Sequence, residues 1–370
     1  MFSVLHIINK FDLSQGGPPR SINSIIKGLK SKGVKTHLIS TGKKKIIRDK
    51  KASYIGDNII ERFSFPSLLL IIYLRKKIKE YDLIHIHCMW NFITTISLFL
   101  AIFYKKKIIF SPHGTMDKNN IKNNYLLKKI YYFLIEKRNI KKIDVVHFLS
   151  NEEKNNSQYL SNKKFFIINN GLDLKKFKFI RKKKFNIFNK NKFNILNLGR
   201  FNKIKGLDLQ LDLIRKANRE DDNYRLILIG PNGKDKQFYI NKTKKMKIEK
   251  SIIFVPPIYS EKRFEIMRNS DLVINTSYYE CNSMTILEAL ASGSLVLAVD
   301  NANVNHQYKY KALVKTKRNL NEILKQINLL KKNKKKQIKI RKNAINYSKN
   351  FLNINLLTNK YLEQYKNLIN

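Results

Sequence analysis

The sequence predicts an α/β chain built as two successive units, each a parallel sheet with crossover helices. Three observations carry this. Short apolar runs alternate with longer amphipathic stretches along most of the chain. The alternation lapses between Asn169 and Lys192, where the chain is polar and basic without a clear period, and then restarts. A length of 370 residues leaves room for two domains with sizeable cores.

In the first half, strands are expected at Val4–Ile8, Lys35–Ile39, Leu83–His87, Ile108–Ser111, Val145–Leu149 and Phe166–Ile168. Helices are expected over Arg20–Lys32, Asn91–Phe103 and Tyr125–Asn139. The second half repeats the pattern with strands at Ile195–Leu198, Leu226–Ile229, Ile252–Val255, Leu272–Ile274 and Leu295–Val299. Beyond Asn319 the chain reads as lysine-rich helices. The boundaries follow: a first domain over 1–170, a linker over 171–192, a second domain over 193–345 and a terminal helix over 346–370. No repeat of solenoid length is visible.

Composition is globular, with 43% hydrophobic and 27% charged residues, but 74 basic against 27 acidic residues leave a formal charge of +47. Lys, Asn and Ile crowd nearly every segment, so a compositional bias explains the charge as well as a functional demand does. Either way the surface attracts anionic lipid, nucleic acid and phosphorylated substrates. Lys43–Lys45, Lys105–Lys107, Arg181–Lys184 and Lys331–Lys336 are clusters able to touch a membrane. Cys88 and Cys281 make neither a disulfide framework nor a zinc site, and a reducing cytoplasm is the expected compartment. The N-terminus enters a strand at once and lacks the order of a signal peptide. The longest apolar run, Phe92–Tyr104, is shorter than the ~20 residues that span a bilayer. Any membrane contact is therefore expected at the surface.

The chemistry concentrates between Asn275 and Gly293. A strand runs into a polar loop, and the loop opens a helix that Asn282 or Ser283 can cap. The first turn, with Ser283, Met284 and Thr285, offers backbone amides suited to phosphate. Glu280 sits just outside that helix and Glu288 about one turn inside it, placed to accept hydrogen bonds from sugar hydroxyls. One carboxylate for a ribose, one for a second sugar and amides between them fit a sugar nucleotide. An amphipathic helix with a solvated glutamate accounts for this segment equally well. Upstream, the strand Ile195–Leu198 ends in Gly199-Arg200, and Lys205-Gly206 opens the next helix. A cation about 4 Å from a phosphate oxygen contributes ~4 kcal/mol at an effective dielectric of 20, enough to stand in for a metal.

Other constellations are weaker. Gly16 and Gly17 in Ser14-Gln15-Gly16-Gly17-Pro18-Pro19-Arg20 do not make the spaced-glycine fingerprint of a dinucleotide site. His113, in Ser111-Pro112-His113-Gly114-Thr115, follows a strand, where a structural histidine is as ordinary as a functional one. His85 and His87 share a strand face at a spacing compatible with metal ligation, but no third ligand stands out, and no metal site is assigned. Cys281 reads as a small packed side chain.

Taken in order, these motifs resemble the family 4 retaining glycosyltransferases. Two glutamates with seven residues between them precede Ala289-Leu-Ala-Ser-Gly293, Gly-Arg precedes Lys-Gly, and Asn169-Asn170-Gly171-Leu172-Asp173 is similar to the family's junction motif with asparagine in place of proline. The resemblance covers about residues 3 to 300. It departs at Cys281-Asn282-Ser283, where the family has a glycine-containing turn, and at Asn301–Gln307, which replaces a glycine-rich segment. It implies a GT-B fold, with two Rossmann-like domains facing across a cleft and C-terminal helices crossing back to the first. It implies transfer of a sugar, with retention, from a UDP- or GDP-sugar to a saccharide or lipid-linked acceptor of surface polysaccharide assembly. It implies that neither cofactor nor metal is required.

The implied roles fall on Arg200 and Lys205 for the diphosphate, Glu280 and His113 for the donor sugar, and Glu288 for the ribose. Gly16, Gly17, Gly199, Ser283, Met284 and Thr285 would line the nucleotide sugar. The implied location is the cytoplasm, against the inner membrane face if peripheral. A sugar-nucleotide epimerase of the same fold, and a basic protein binding nucleic acid or anionic lipid, are the rival readings. The second lacks any nucleic-acid motif with interleaved aromatics, and no nucleic-acid partner is expected.

Overall fold

A parallel strand covered on both faces must be apolar along its whole length, and the N-terminal run meets that demand. Strand β1 (Ser3–Lys10) is buried from Ser3 to Ile8. The computed structural model describes residues 2–12, 17–41, 52–55, 68–122, 124–177, 185–221 and 223–370. Six further strands follow in the first unit: β2 (Lys35–Thr41), β3 (Ala52–Ile55), β4 (Leu83–His87), β5 (Lys107–Ser111), β6 (Val145–Phe148) and β7 (Phe165–Ile167). All pair in parallel, in the order β3-β2-β1-β4-β5-β6-β7.

The second sheet holds β8 (Phe193–Leu198), β9 (Tyr224–Ile229), β10 (Ile252–Val255), β11 (Leu272–Asn275), β12 (Val296–Val299) and β13 (Val314–Thr316). Its order, β10-β9-β8-β11-β12-β13, is again parallel throughout. Each sheet thus reverses its strand order once, between β1 and β4 and between β8 and β11. In open α/β sheets, ligands bind outside the carboxyl ends of the strands at such a reversal.

Two strands escaped the sequence reading. β3 has only four residues, and β13 reads Val-Lys-Thr, too short and too polar to register as an apolar run. The first helix begins at Gly17 rather than Arg20, because Pro18 and Pro19 are tolerated in a first turn. Asn91 is the cap of the Phe92–Phe103 helix, its side chain accepting from the Thr94 amide.

The chain divides into Met1–Gly171 with Ile354–Asn370, and Leu172–Asn353. Where it is described, the expected linker over 171–192 is part of the second unit from Leu172 onward. Leu172 belongs to that unit's core, where Leu174, Phe177, Phe185, Ile187 and Phe188 pack. Their irregular spacing hid this burial from a search for period. Residues 346–351 likewise finish the Lys334–Phe351 helix, whose Ala344 and Tyr347 are buried in the second core. The return to the first unit starts at Ile354.

From there the terminal helix Ile354–Ile369 packs on Gly17–Ser31. The approach is close: a Cβ on Gly28 would fall 2.0 Å from Thr358 Oγ1. Leu357, Tyr361 and Tyr365 join the core beneath β1 and β5. Among the described residues no helix is long and apolar enough to cross a membrane.

Candidate functional site

In the second unit the carboxyl ends of β8 and β11, the neighbours at the order reversal, carry the charged groups. β8 ends at Leu198, and a 3-10 turn over Lys203–Lys205 leads into the Leu207–Glu220 helix through Gly206. Gly206 has φ +64°, and a Cβ there would lie 2.2 Å from the Thr276 carbonyl oxygen. Only glycine lets this turn lie against the start of the β11 loop. Gln210 donates to Thr276 Oγ1 at 2.7 Å and locks the helix to that loop.

This closeness brings Lys205 to Glu280. The ammonium donates to Glu280 Oε1 at 2.5 Å, and the same oxygen accepts from Ser277 Oγ at 2.7 Å and Asn275 Nδ2 at 3.2 Å. Burial raises the Glu280 pKa, but the Lys205 charge and these hydrogen bonds outweigh it and hold the carboxyl below its ordinary range. Oε2 has no hydrogen-bond partner among the described residues, so one carboxylate oxygen is fixed and the other is left to accept. The Glu280 carbonyl accepts from Asn303 Nδ2 at 2.6 Å. Asn303 lies in the segment that replaces the family's glycine-rich stretch, and it adopts φ +54°.

Ser283 is the N-cap of the Met284–Ala291 helix, but its side chain makes no capping hydrogen bond. The amides of that first turn, Met284 and Thr285 included, thus end beside the Glu280 loop without a side-chain cap. Gly199 follows β8, and a Cβ on it would be 3.9 Å from Lys205 Cε, which places the lysine stem alongside. Arg200 is exposed and forms no ion pair among the described residues.

Glu288 departs from the expectation of a solvated or ligand-facing carboxylate. It is 3% exposed, and Arg263 grips both of its oxygens, Nε to Oε2 at 3.1 Å and Nη2 to Oε1 at 2.8 Å. Arg263 is itself held, donating from Nη1 to the carbonyls of Tyr259 and Ser260 and lying 4.2 Å over the Phe264 ring. The sequence reading missed this arginine. Arg318 was missed too: it donates to the Thr276 carbonyl at 3.1 Å and stacks 3.5 Å over Tyr278 at the edge of the same loop.

The first unit concentrates histidines at its own reversal, on β1 and β4. His6 Nδ1 meets His87 Nε2 at 3.0 Å, and His87 Nδ1 meets His113 Nε2 at 3.0 Å. His6 supplies the third imidazole beside His85 and His87 that sequence spacing did not reveal, their ring nitrogens within 4.8 Å of one another. His85 has both nitrogens engaged, by Tyr365 OH and Ser111 Oγ, each at 2.7 Å. Ser111 Oγ in turn meets His147 Nδ1 at 2.7 Å.

A neutral imidazole carries one N–H, so the His6–His87–His113 row has two self-consistent states. If His87 donates to His113, then His113 carries its proton on Nδ1 and His6 Nε2 is bare. In the opposite state His113 Nδ1 is the bare acceptor and His6 Nε2 carries the proton. These two end atoms are the ones without partners.

His113 adopts φ +48° and is followed by Gly114 at φ +78°. The turn is held by Glu153, whose carboxylate accepts the Gly114 amide and the Leu149 amide, each at 2.7 Å. Glu153 was not foreseen, although Ser150-x-x-Glu153 is the signature of a helix start and Ser150 Oγ does accept the Glu153 amide. Gly17 is the first residue of its helix; Gly16 lies outside the described residues.

Burial dominates the histidine titration, lowering His6 and His113 to about 3 and His147 to about 4, from 6.5. His85 and His87 are also pushed well down by burial. The unfolded chain takes up these protons near pH 6.5 and the folded one does not. Stability is therefore full above that value and falls as pH drops from about 6.5 toward 3. Melting temperatures are expected to hold between pH 7.5 and about 6.5 and to decline from there to pH 5, with a shallower slope in His147→Gln. A flat profile would show that these imidazoles are not buried neutral.

Two family descriptions match consecutive parts of the chain: Glycosyltransferase Family 4 over residues 15–176 and Glycosyl transferases group 1 over 178–347. No curated protein sequence matches. Among solved structures, a sucrose-phosphate synthase from Thermosynechococcus elongatus superposes with TM-score 0.79 at 15% identity, covering 100% of this chain and 99% of its own. A glycosyltransferase from Rickettsia africae gives 0.76 at 19%, with 100% and 98% covered. Anabaena HepE, solved in complex with UDP and glucose, gives 0.76 at 14%, with 99% and 100% covered. These likenesses are of fold, and the fold is GT-B.

Proposed function

Because the chain is a GT-B glycosyltransferase of the group 1/family 4 type, we propose that it moves a sugar from a UDP- or GDP-sugar to a saccharide or lipid-linked acceptor. The anomeric configuration is retained, and the product belongs to surface polysaccharide such as lipopolysaccharide, capsule or exopolysaccharide. The observation that carries this reading is the grouping of Lys205, Glu280 and the uncapped start of the Met284–Ala291 helix beside the strand-order reversal of the second sheet.

In this reading Arg200, Lys205 and the amides of Ser283, Met284 and Thr285 stabilise the charge that builds on the leaving diphosphate. They take the part a metal would otherwise play, so transfer persists in a chelator. Glu280 Oε2 accepts a donor-sugar hydroxyl while Oε1 remains on Lys205. Glu288, held on Arg263, is the carboxylate assigned to the ribose hydroxyls. His113 Nδ1 serves a sugar hydroxyl as donor or acceptor, according to the state of the histidine row. Gly17 and Gly199 allow backbone approach to the diphosphate.

Thermal shift against a panel of nucleotide sugars tests the proposal. Saturable stabilisation is expected from one UDP- or GDP-sugar and its free nucleotide, persisting in salt that abolishes nucleic-acid binding. Stabilisation by none of the panel, with salt-sensitive binding of nucleic acid instead, would overturn it. Product analysis without acceptor separates transfer from epimerisation, since only an epimerase converts the donor alone.

A further inference from the structure

The first unit turns an apolar helical face outward. Residues 125–141 form one helical run of about 25 Å, made of Tyr125–Tyr131, a π-helical turn over Tyr132–Glu136, and Lys137–Lys141. Its inward side is anchored by Ile140 and by Glu136, which accepts from Thr95 Oγ1. An ordinary surface helix exposes its polar residues, but here the large apolar ones face solvent. Leu126 is 67% exposed, Leu127 69%, Phe133 51% and Leu134 76%, with Ile130 between them. Contiguous apolar exposure of this kind marks an interaction surface.

The charges around it select the partner. Residues 121–142 hold seven cations, Lys122, Lys128, Lys129, Lys137, Arg138, Lys141 and Lys142, and a single acid, Glu136. That acid is fully buried, so nothing anionic is presented. A second copy of the chain would bring like charges together. Nucleic acid matches the cations but not exposed leucines. A bilayer with anionic headgroups matches both, since aliphatic and aromatic side chains enter the acyl boundary while lysines remain at the phosphates.

We propose that the outward face of residues 125–141 docks the first unit on an anionic membrane surface, lying in the interface without crossing it. This surface is separate from the residues assigned to the sugar nucleotide, and its test does not depend on that assignment.

The test is flotation of the full chain with vesicles of phosphatidylcholine alone or with one quarter phosphatidylglycerol. Because the whole molecule is basic, binding is read at low salt and again at 0.5 M salt, where the Debye length is roughly 4 Å. The wild type is expected to float with anionic vesicles and to keep a measurable fraction bound in high salt. The exposed triple variant Leu126→Ser/Phe133→Ser/Leu134→Ser is expected to lose at least tenfold in affinity and all high-salt binding. Lys129→Glu/Lys137→Glu/Lys141→Glu is expected to lose its preference for anionic vesicles. Both variants alter exposed side chains, and unchanged melting curves and nucleotide-sugar response certify the fold. Equal flotation of the serine variant and the wild type would overturn the proposal. So would a wild type that ignores vesicles but forms a dimer or a protein complex that the serine variant dissolves.

Discussion

Arg263→Ala is expected to destabilise the second unit by about 3–5 kcal/mol, the cost of leaving a buried carboxylate without its cation. Glu288 is almost wholly enclosed, and both of its oxygens are bound by the same guanidinium. The two-pronged geometry is specific to arginine, and Arg263→Lys should recover only part of the loss. Replacing both partners by apolar residues, Arg263→Met with Glu288→Leu, should return stability to within about 1 kcal/mol of wild type, because neither charge is then buried. Urea unfolding reads all three. If Arg263→Ala unfolds at the wild-type midpoint, Glu288 is not held as described and is a freely presented ligand group instead. The same variants separate fold from binding. A double variant that is stable but insensitive to nucleotide sugar would leave Glu288 with both tasks.

What the sequence disclosed and what it concealed follow from how far each feature reaches along the chain. Runs such as Val4–Ile8 and Leu226–Ile229 declare parallel strands locally, because burial on both faces removes every polar position at once. Lys205 and Glu280 were legible as members of an ordered motif. Their direct pairing was not, since it depends on Gly206 lying against Thr276, a contact between loops 70 residues apart. Arg263 was hidden differently. In a chain with 74 basic residues one more arginine carries no signal, and its partner lies 25 residues on, in another helix. His6 beside His87 spans 81 residues and appears only once β1 and β4 are known to be neighbours. The packing of Leu172, Phe177 and Phe188 on a core was concealed because their spacing has no period to detect.

Lys205→Ala is expected to lower the transfer rate by about 10²–10³-fold, the usual loss when one preorganised donor to developing charge is removed. The structure adds a second consequence. Lys205, with the Ser277 and Asn275 hydrogen bonds, outweighs burial at Glu280, so its removal lets the Glu280 pKa rise and costs stability, about 1–3 kcal/mol for a pair that is only partly enclosed. The sign is fixed by the lowered folded pKa: the pair stabilises above the ordinary glutamate value of 4.5 and its contribution is lost as pH falls through the folded value. Stability and rate can be pulled apart. Adding Glu280→Gln to Lys205→Ala neutralises the orphaned carboxylate and should restore most of the melting temperature, while the rate stays low because the diphosphate has lost its cation. Lys205→Arg keeps the charge and should recover part of the rate. Single-turnover transfer with the nucleotide sugar that gives the largest thermal shift measures the chemical step, and a folded Lys205→Ala protein turning over at the wild-type rate would remove Lys205 from the mechanism.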